Sequence, residues 1–227
     1  MARVVKEADV RREELLDTAL ALFLEHGYER TSVEQITNAV GVAKGTFYHY
    51  FATKQDLLEQ LVERFSDQLF CEIEAALAET DGTAIERFQT LVAASSRAKL
   101  GRRDQTLTLT RSLYTEENRA LQARLREGWT TRTRPLILAI VEQGKAEGVF
   151  DVPDAAAMTE VWLSLWYDFG MQVAELFFRA QDDSSRVDEL IDAMDALTMA
   201  QERILGAAPG SLDMHAGDAL REILGGN

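Results

Sequence analysis

A chain of 227 residues with 46% hydrophobic side chains can bury one or two sizeable cores, which excludes wholesale disorder. Its 38 Asp and Glu against 24 Lys and Arg give a net charge of −14, and a single cysteine, Cys71, excludes an internal disulfide. No apolar run reaches membrane-spanning length and the first residues lack the apolar stretch of a secretory leader, so a soluble, cytoplasmic protein with no membrane contact is expected.

Only three prolines and long stretches rich in Ala, Leu, Glu, Arg and Gln predict an all-α protein. Residues 1–10 read as a frayed, charged arm. From Arg11 to His26, Leu15, Leu16, Ala19, Leu22 and Phe23 recur at helical spacing, and Gly27 closes that helix. Thr31-Ser32-Val33-Glu34 then has the form of a capping box, with Thr31 as cap, opening a short helix to about Val40. Gly41 suits the left-handed residue that ends it. A further short helix opens near Lys44. On a 3.6-residue period Phe47, Tyr50 and Phe51 share one face, and Lys44, Gly45, Tyr48 and His49 share another. The first face docks on a core; the second offers a cation, bare backbone, a phenol and an imidazole to an anionic partner. Thr53 caps the next helix, with Lys54 in its first turn, where a cation opposes the helix dipole unless it faces an anion.

That helix is expected to reach about Leu77, and another to run from Thr83 to Leu100. Gln105–Thr110 alternates with period two, but with no second strand to pair it, it is assigned to a helix. Residues 116 to about 146 read as a long helix that Gly128 or Pro135 interrupts. Asp154 caps an aromatic helix over about 155–179, and Ser185 with Asp188 forms a second capping box before a helix over 186–205. A tail follows, with a weak helix near 217–224.

Gly27-Tyr28, Thr31-Ser32-Val33 with Ile36 and Ala39, then Gly41-Val42-Ala43-Lys44-Gly45-Thr46-Phe47-Tyr48-His49-Tyr50-Phe51 and Thr53-Lys54-Gln55-Asp56-Leu57-Leu58 resemble the helix-turn-helix domain of TetR-family transcriptional regulators. The resemblance spans about residues 11–58. Where that family often has Ser, this chain has Ala43, which removes one hydroxyl from the DNA-facing set. The resemblance implies a helix-turn-helix DNA-binding domain over 1–54, an effector-binding and dimerisation domain over 55–207 and a C-terminal tail over 208–227. It implies a homodimer, joined through helices of about 155–179 and 186–205, that sits on double-stranded DNA at a palindromic operator and acts as a repressor released by a small-molecule effector. A TetR-like activator or adaptor without effector control is the alternative.

A recognition helix must set side chains on base edges while its neighbours grip phosphates. Lys44 and Thr46 are therefore expected to read bases, Gly45 to allow close approach, and Tyr48 and His49 to hold phosphates. By resemblance, Thr31 or Ser32 and Lys54 hold the backbone on either side. Residues 1–54 carry seven Lys and Arg against eight Asp and Glu, so nearly all the net negative charge falls in the remainder. No effector residue carries over by motif. Composition nominates Tyr114, Trp129, Trp162, Trp166 and Phe169 as lining of an apolar pocket. Arg111, between Leu109 and Leu113 in a basic stretch, is nominated to meet an anionic ligand. No catalytic residue, metal site or cofactor is expected: the three histidines stand far apart, and neither a His-x-x-x-His, a Cys-x-x-Cys nor a nucleophile elbow occurs. A helical enzyme is the remaining alternative reading.

Overall fold

The computed structural model describes the backbone of residues 2–212, and side chains from residue 9 onward except those of 171, 174, 178, 181, 182 and 184. Helices account for nearly all of it, and no strand occurs among the described residues. In chain order they are α1 (Ala2–His26), α2 (Val33–Val40), α3 (Lys44–Tyr50), α4 (Lys54–Ala78), α5 (Ala84–Gly101), α6 (Arg103–Leu113), α7 (Arg119–Glu147), α8 (Ala155–Asp182) and α9 (Val187–Leu205). Short 3₁₀ turns at Glu116–Asn118 and Ser184–Arg186 lead into α7 and α9. Among the described residues no helix is long and apolar enough to cross a membrane.

Several elements differ from the sequence reading. The expected N-terminal arm is the beginning of α1. The alternating segment Gln105–Thr110 lies inside α6, where the hydroxyls of Thr110 and Ser112 donate to carbonyls one turn back. Helix α7 runs through both Gly128 and Pro135 without a break; proline forfeits one ladder bond there, which neighbouring turns absorb. The box expected from Ser185 and Asp188 is not formed, because both the backbone N–H and the hydroxyl of Ser185 donate to Asp183. A box the sequence reading passed over caps α5 instead: Thr83 N–H donates to Glu86 and Glu86 N–H to the Thr83 hydroxyl. The helix expected near 217–224 lies outside the described residues.

The chain divides into two compact units, one formed by residues up to Leu69 with Ala98–Glu127, the other by Phe70–Arg97 with the residues from Gly128 on. The core of the first gathers Leu15, Leu16, Ala19 and Phe23 of α1, Ile36 of α2, Phe47 of α3, Phe51, and Leu57, Leu58 and Leu61 of α4. Leu109 and Leu113 of α6 and Leu121 of α7 complete it. Each fully buried side chain of this size contributes roughly 1.5–3 kcal/mol before entropy is counted. Polar ties add register. Arg64 of α4 pairs with Glu13 and Asp17 of α1, each at 2.8 Å, and Arg124 of α7 forms a two-pronged pair with Glu59 of α4.

The second unit buries Phe70, Phe88, Ile140, Phe150, Trp162 and Leu205, among others. Helices α8 and α9 form a hairpin whose turn end is sealed by Ala180, Val187, Leu190 and Ile191. Asp154 caps α8 as expected, accepting from Ala157 N–H at 2.7 Å. Gly144, inside α7, is needed for close approach: a Cβ there would lie 2.1 Å from the Phe150 ring. Past α9 the chain folds back, so that Leu212 is buried and its N–H donates to Glu202.

Candidate nucleic-acid interface

The first unit places α2 and α3 as a helix-turn-helix, and its local geometry follows from four residues. Ser32 caps α2: its hydroxyl accepts from Gln35 N–H, and the Gln35 side chain accepts from Ser32 N–H at 2.7 Å. The box expected one residue earlier, from Thr31 to Glu34, is thus corrected. Thr31 is buried, and its hydroxyl donates to the carbonyls of Gly27 and Leu22 at the end of α1. Gly41 ends α2 at φ 77°, a conformation that favours a residue without a Cβ, and its N–H returns to the carbonyls of Thr37 and Asn38. Ala43 precedes α3 and, having no side-chain oxygen, makes no capping bond.

The two faces of α3 separate as the spacing predicts. Phe47 and the following Phe51 are fully buried, ring centroids 5.4 Å apart. Lys44, Gly45, Tyr48 and His49 are exposed together on the other side, with Tyr48 51% exposed and braced edge-on against Phe47. Thr46 is half-buried between the faces. Nothing approaches within 4 Å of where a Cβ on Gly45 would stand, so an incoming ligand can come close to that backbone. Ser32, at the head of α2, is exposed as well. This face can donate hydrogen bonds and one permanent positive charge.

Lys54 is the exception. Its ammonium is half-buried, donates to the carbonyls of Tyr28 at 2.9 Å and Thr31 at 3.0 Å, and lies 4.1 Å from the centre of the Tyr28 ring. Burial lowers its pKa, with the carboxylates of Glu29 and Glu117 acting the other way. The same surroundings push the Tyr28 phenol up to about 12, first by burial and then by Glu29 and Glu117.

The residues nominated for an effector fall in both units. In the first, Arg111 stands exposed on α6, and Tyr114 follows that helix, its N–H bonded to Thr110. In the second, Trp162 is buried and stacks on half-buried Trp166, centroids 5.1 Å apart and planes 11° from parallel. Phe88 of α5 meets Trp162 edge-on at 6.0 Å, and Trp129 of α7 lies 6.3 Å from Tyr167. Phe169 is half-buried. The indole N–H of Trp162 has no hydrogen-bond partner among the described residues. Sequence reading passed over Gln201, which is fully buried with neither amide atom bonded among the described residues. Its signal was available: Gln201 sits four residues from both Leu197 and Leu205, a polar side chain on an apolar stripe. On the outer side of α9, Asp192, Asp195, Ala196, Met199, Ala200, Arg203 and Ile204 line a shallow groove, with Met199 50% exposed. On α8, Val161 is 48% exposed. Among the described residues no three of His, Cys, Asp and Glu stand together as a metal site.

Comparison with known proteins bears on this interface directly. Residues 15–61, which carry α2, α3 and most of the first core, match the family model of bacterial regulatory proteins, tetR family. The HTH-type transcriptional repressor KstR2 of Mycobacterium tuberculosis is 29% identical over 178 residues, covering 74% of this chain and 86% of the repressor. The HTH-type repressor ComR of Escherichia coli is 38% identical over 79 residues, 30% of this chain and 38% of its own. Among solved structures, a regulator of the TetR/AcrR family from Thermobifida fusca shares 29% identity with a TM-score of 0.50, over 69% of this chain and 82% of that one. A TetR-family regulator from Pectobacterium atrosepticum superposes more closely, with a TM-score of 0.64 over 86% of this chain and 96% of its own; at 19% identity it speaks for the fold alone.

Proposed function

We propose, from the premise that this chain belongs to the tetR family of bacterial regulatory proteins and is a DNA-binding transcriptional regulator, that it works as a homodimeric repressor released from a palindromic operator by a small-molecule effector. The observation that carries this reading is the exposed face of α3, where Lys44, Gly45, Tyr48 and His49 stand together on a helix anchored by Phe47. Lys44 donates to guanine O6 or N7, the Thr46 hydroxyl or methyl meets a base edge, and Gly45 lets the backbone approach. Tyr48, His49 and Ser32 donate to phosphates on either side. Thr31, with its hydroxyl turned inward, serves by fixing Ser32.

Charge supports the same face. The first unit holds 15 Lys and Arg against 16 Asp and Glu, the second 9 against 22, so the excess of negative charge lies almost entirely in the second. Phosphate is repelled from that unit and tolerated by the first. Few phosphate contacts from one helix give weak binding, and pairing two such heads on successive major grooves, about 34–36 Å apart, multiplies it. The outer faces of α8 and α9, with exposed Val161 and Met199 and the groove along α9, are the surfaces assigned to that pairing. The aromatic cluster around Trp162 and Trp166 is assigned to the effector, with Trp129 and Phe169 as further candidates in the second unit and Arg111 and Tyr114 as candidates in the first. Repression is preferred to activation on the similarity to the repressors KstR2 and ComR, and a cytoplasmic location goes with binding operator DNA.

The test is selection of bound duplexes from a random pool by the full chain, followed by footprinting. An inverted repeat with half-sites one helical turn apart is expected, together with release from it when extracts of small metabolites are added. An unstructured, sequence-indifferent pool would overturn the assignment of the reading head; a repeat that no extract releases would leave a regulator without effector control.

A further inference from the structure

A lysine at the first position of a helix opposes the positive end of the dipole, and in this chain the position of Lys54 has an internal explanation. Its ammonium sits where two carbonyl oxygens and an aromatic face converge, at 2.9, 3.0 and 4.1 Å. Both carbonyls belong to one short turn, Tyr28 to Thr31, which connects the end of α1 to Ser32, the cap of α2. That turn is stitched from the other side by the Thr31 hydroxyl, which reaches Gly27 and Leu22. Within it, Thr31 N–H donates to the same Tyr28 carbonyl that accepts from Lys54. The turn is therefore gripped between α1 and α4, and the residue leaving the grip is Ser32.

We propose that Lys54 is a positioning residue that clamps the Tyr28–Thr31 turn to the start of α4, fixing Ser32 and α2 for DNA reading, and that it is not itself a phosphate contact. This rests on the reading of the α2–α3 face given above. Two of its three N–H groups are spent on carbonyls, and the ammonium lies over the Tyr28 ring. A lysine is required rather than an arginine: a compact ammonium can address two carbonyls across a turn, whereas a planar guanidinium directs its donors in a fixed fork. A phosphate contact has the opposite preference, since arginine serves phosphate at least as well as lysine.

Lys54→Arg and Lys54→Met separate the two roles, with Lys44→Ala as the comparator. Binding of each full-length variant is measured on the operator selected by the parent protein and on a random duplex, across a range of salt concentrations. The clamp predicts that Lys54→Arg, although it keeps the charge, loses about tenfold in operator affinity, the scale of losing hydrogen bonds to a charged donor. It predicts that Lys54→Met loses a similar amount, that random-duplex affinity of both stays within about twofold, and that neither changes the salt slope. Lys44→Ala, assigned to a base edge, lowers operator affinity and leaves random-duplex binding within about twofold, whereas a slope lower by about 0.9 marks a lost phosphate contact. Full operator affinity in Lys54→Arg, or a slope reduced by about one in Lys54→Met, overturns the clamp in favour of a phosphate contact. Equal losses on operator and random duplex overturn it in favour of a purely structural lysine. If Lys44→Ala alters neither affinity nor slope, it is the reading face that has failed, whatever Lys54 does.

Discussion

The side-chain amide of Gln55 donates to Asn118 Oδ1 at 2.8 Å, joining the first turn of α4 to the corner that leads into α7. Asn118 is itself buried, and its own amide donates to the Ser112 carbonyl at the end of α6 at 2.7 Å. One asparagine thus ties three elements of the first unit with two bonds, the one to Ser112 buried and the one to Gln55 partly so. Asn118→Ala is expected to destabilise the first unit by about 1–3 kcal/mol, read as a lower denaturant midpoint. Gln55→Ala, which alters a half-buried partner, should cost less. Equal costs for the two would show that the burial of Asn118 is not what gives the tie its weight.

On the reading face, Lys44→Ala should weaken operator binding by about 1–3 kcal/mol and broaden the sequences accepted, if the ammonium meets a base edge. Tyr48→Phe should weaken operator and random duplex alike, because a phosphate contact carries no sequence information. Fluorescence anisotropy on matched duplexes distinguishes the two patterns, and a swap of roles between the residues would redraw the face.

Two glycines of α7 should respond to alanine with opposite signs. At Gly144 a Cβ would enter the Phe150 ring, so Gly144→Ala is expected to cost about 1–3 kcal/mol through overpacking. At Gly128 nothing stands within 4 Å, so the helix gains propensity and Gly128→Ala should stabilise by up to about 1 kcal/mol. Thermal unfolding of the two variants beside the parent decides both signs.

The phenol of Tyr28, raised to about 12, gives stability a high-pH edge. The native state holds the neutral phenol more tightly than the unfolded chain, whose tyrosines titrate near 10. Its contribution is full below pH 10 and is lost as pH rises towards 12. Lys54 titrates nearby with the opposite sign, since its lowered pKa favours the native state at high pH, but only the tyrosine shift is large. Tyr28→Phe should therefore flatten the decline in denaturant midpoint between pH 10 and 12. An equally steep decline in the variant assigns the edge to other groups.

Met199→Glu places a third carboxylate in the groove that already holds Asp192 and Asp195. Sedimentation of the variant at micromolar concentration should show a monomer where the parent shows a dimer, with operator binding weakened in step. A dimer of undiminished strength moves the pairing surface away from α9.

Much of the first unit was legible because its signals are local. Gly41 and the spacing of Phe47 to Phe51 needed only period and steric preference, and both stand where the pattern put them. The capping box slipped by one residue because Thr31-x-x-Glu34 and Ser32-x-x-Gln35 each satisfy the pattern. The choice between them was made by the end of α1, whose carbonyls claim the Thr31 hydroxyl. Lys54 was noticed for the right reason, a cation in an unfavourable place, but its partners lie 26 and 23 residues back and no periodicity points to them. The pairing of Phe88 with Trp162 is of the same kind. The continuity of α7 through Pro135 shows the converse, packing along a long helix outweighing one strong local signal.

The stacked indoles of Trp162 and Trp166 make the second unit its own optical reporter. Two such chromophores at 5.1 Å and nearly parallel couple their transitions, so their ultraviolet circular dichroism depends on the spacing and angle between the rings as well as on each ring's surroundings. A molecule that parts the pair, or slides against one face of it, changes that coupling even where helix content is untouched. Candidate effectors can therefore be sorted by whether they disturb this couplet, on unlabelled protein and with no DNA in the cuvette.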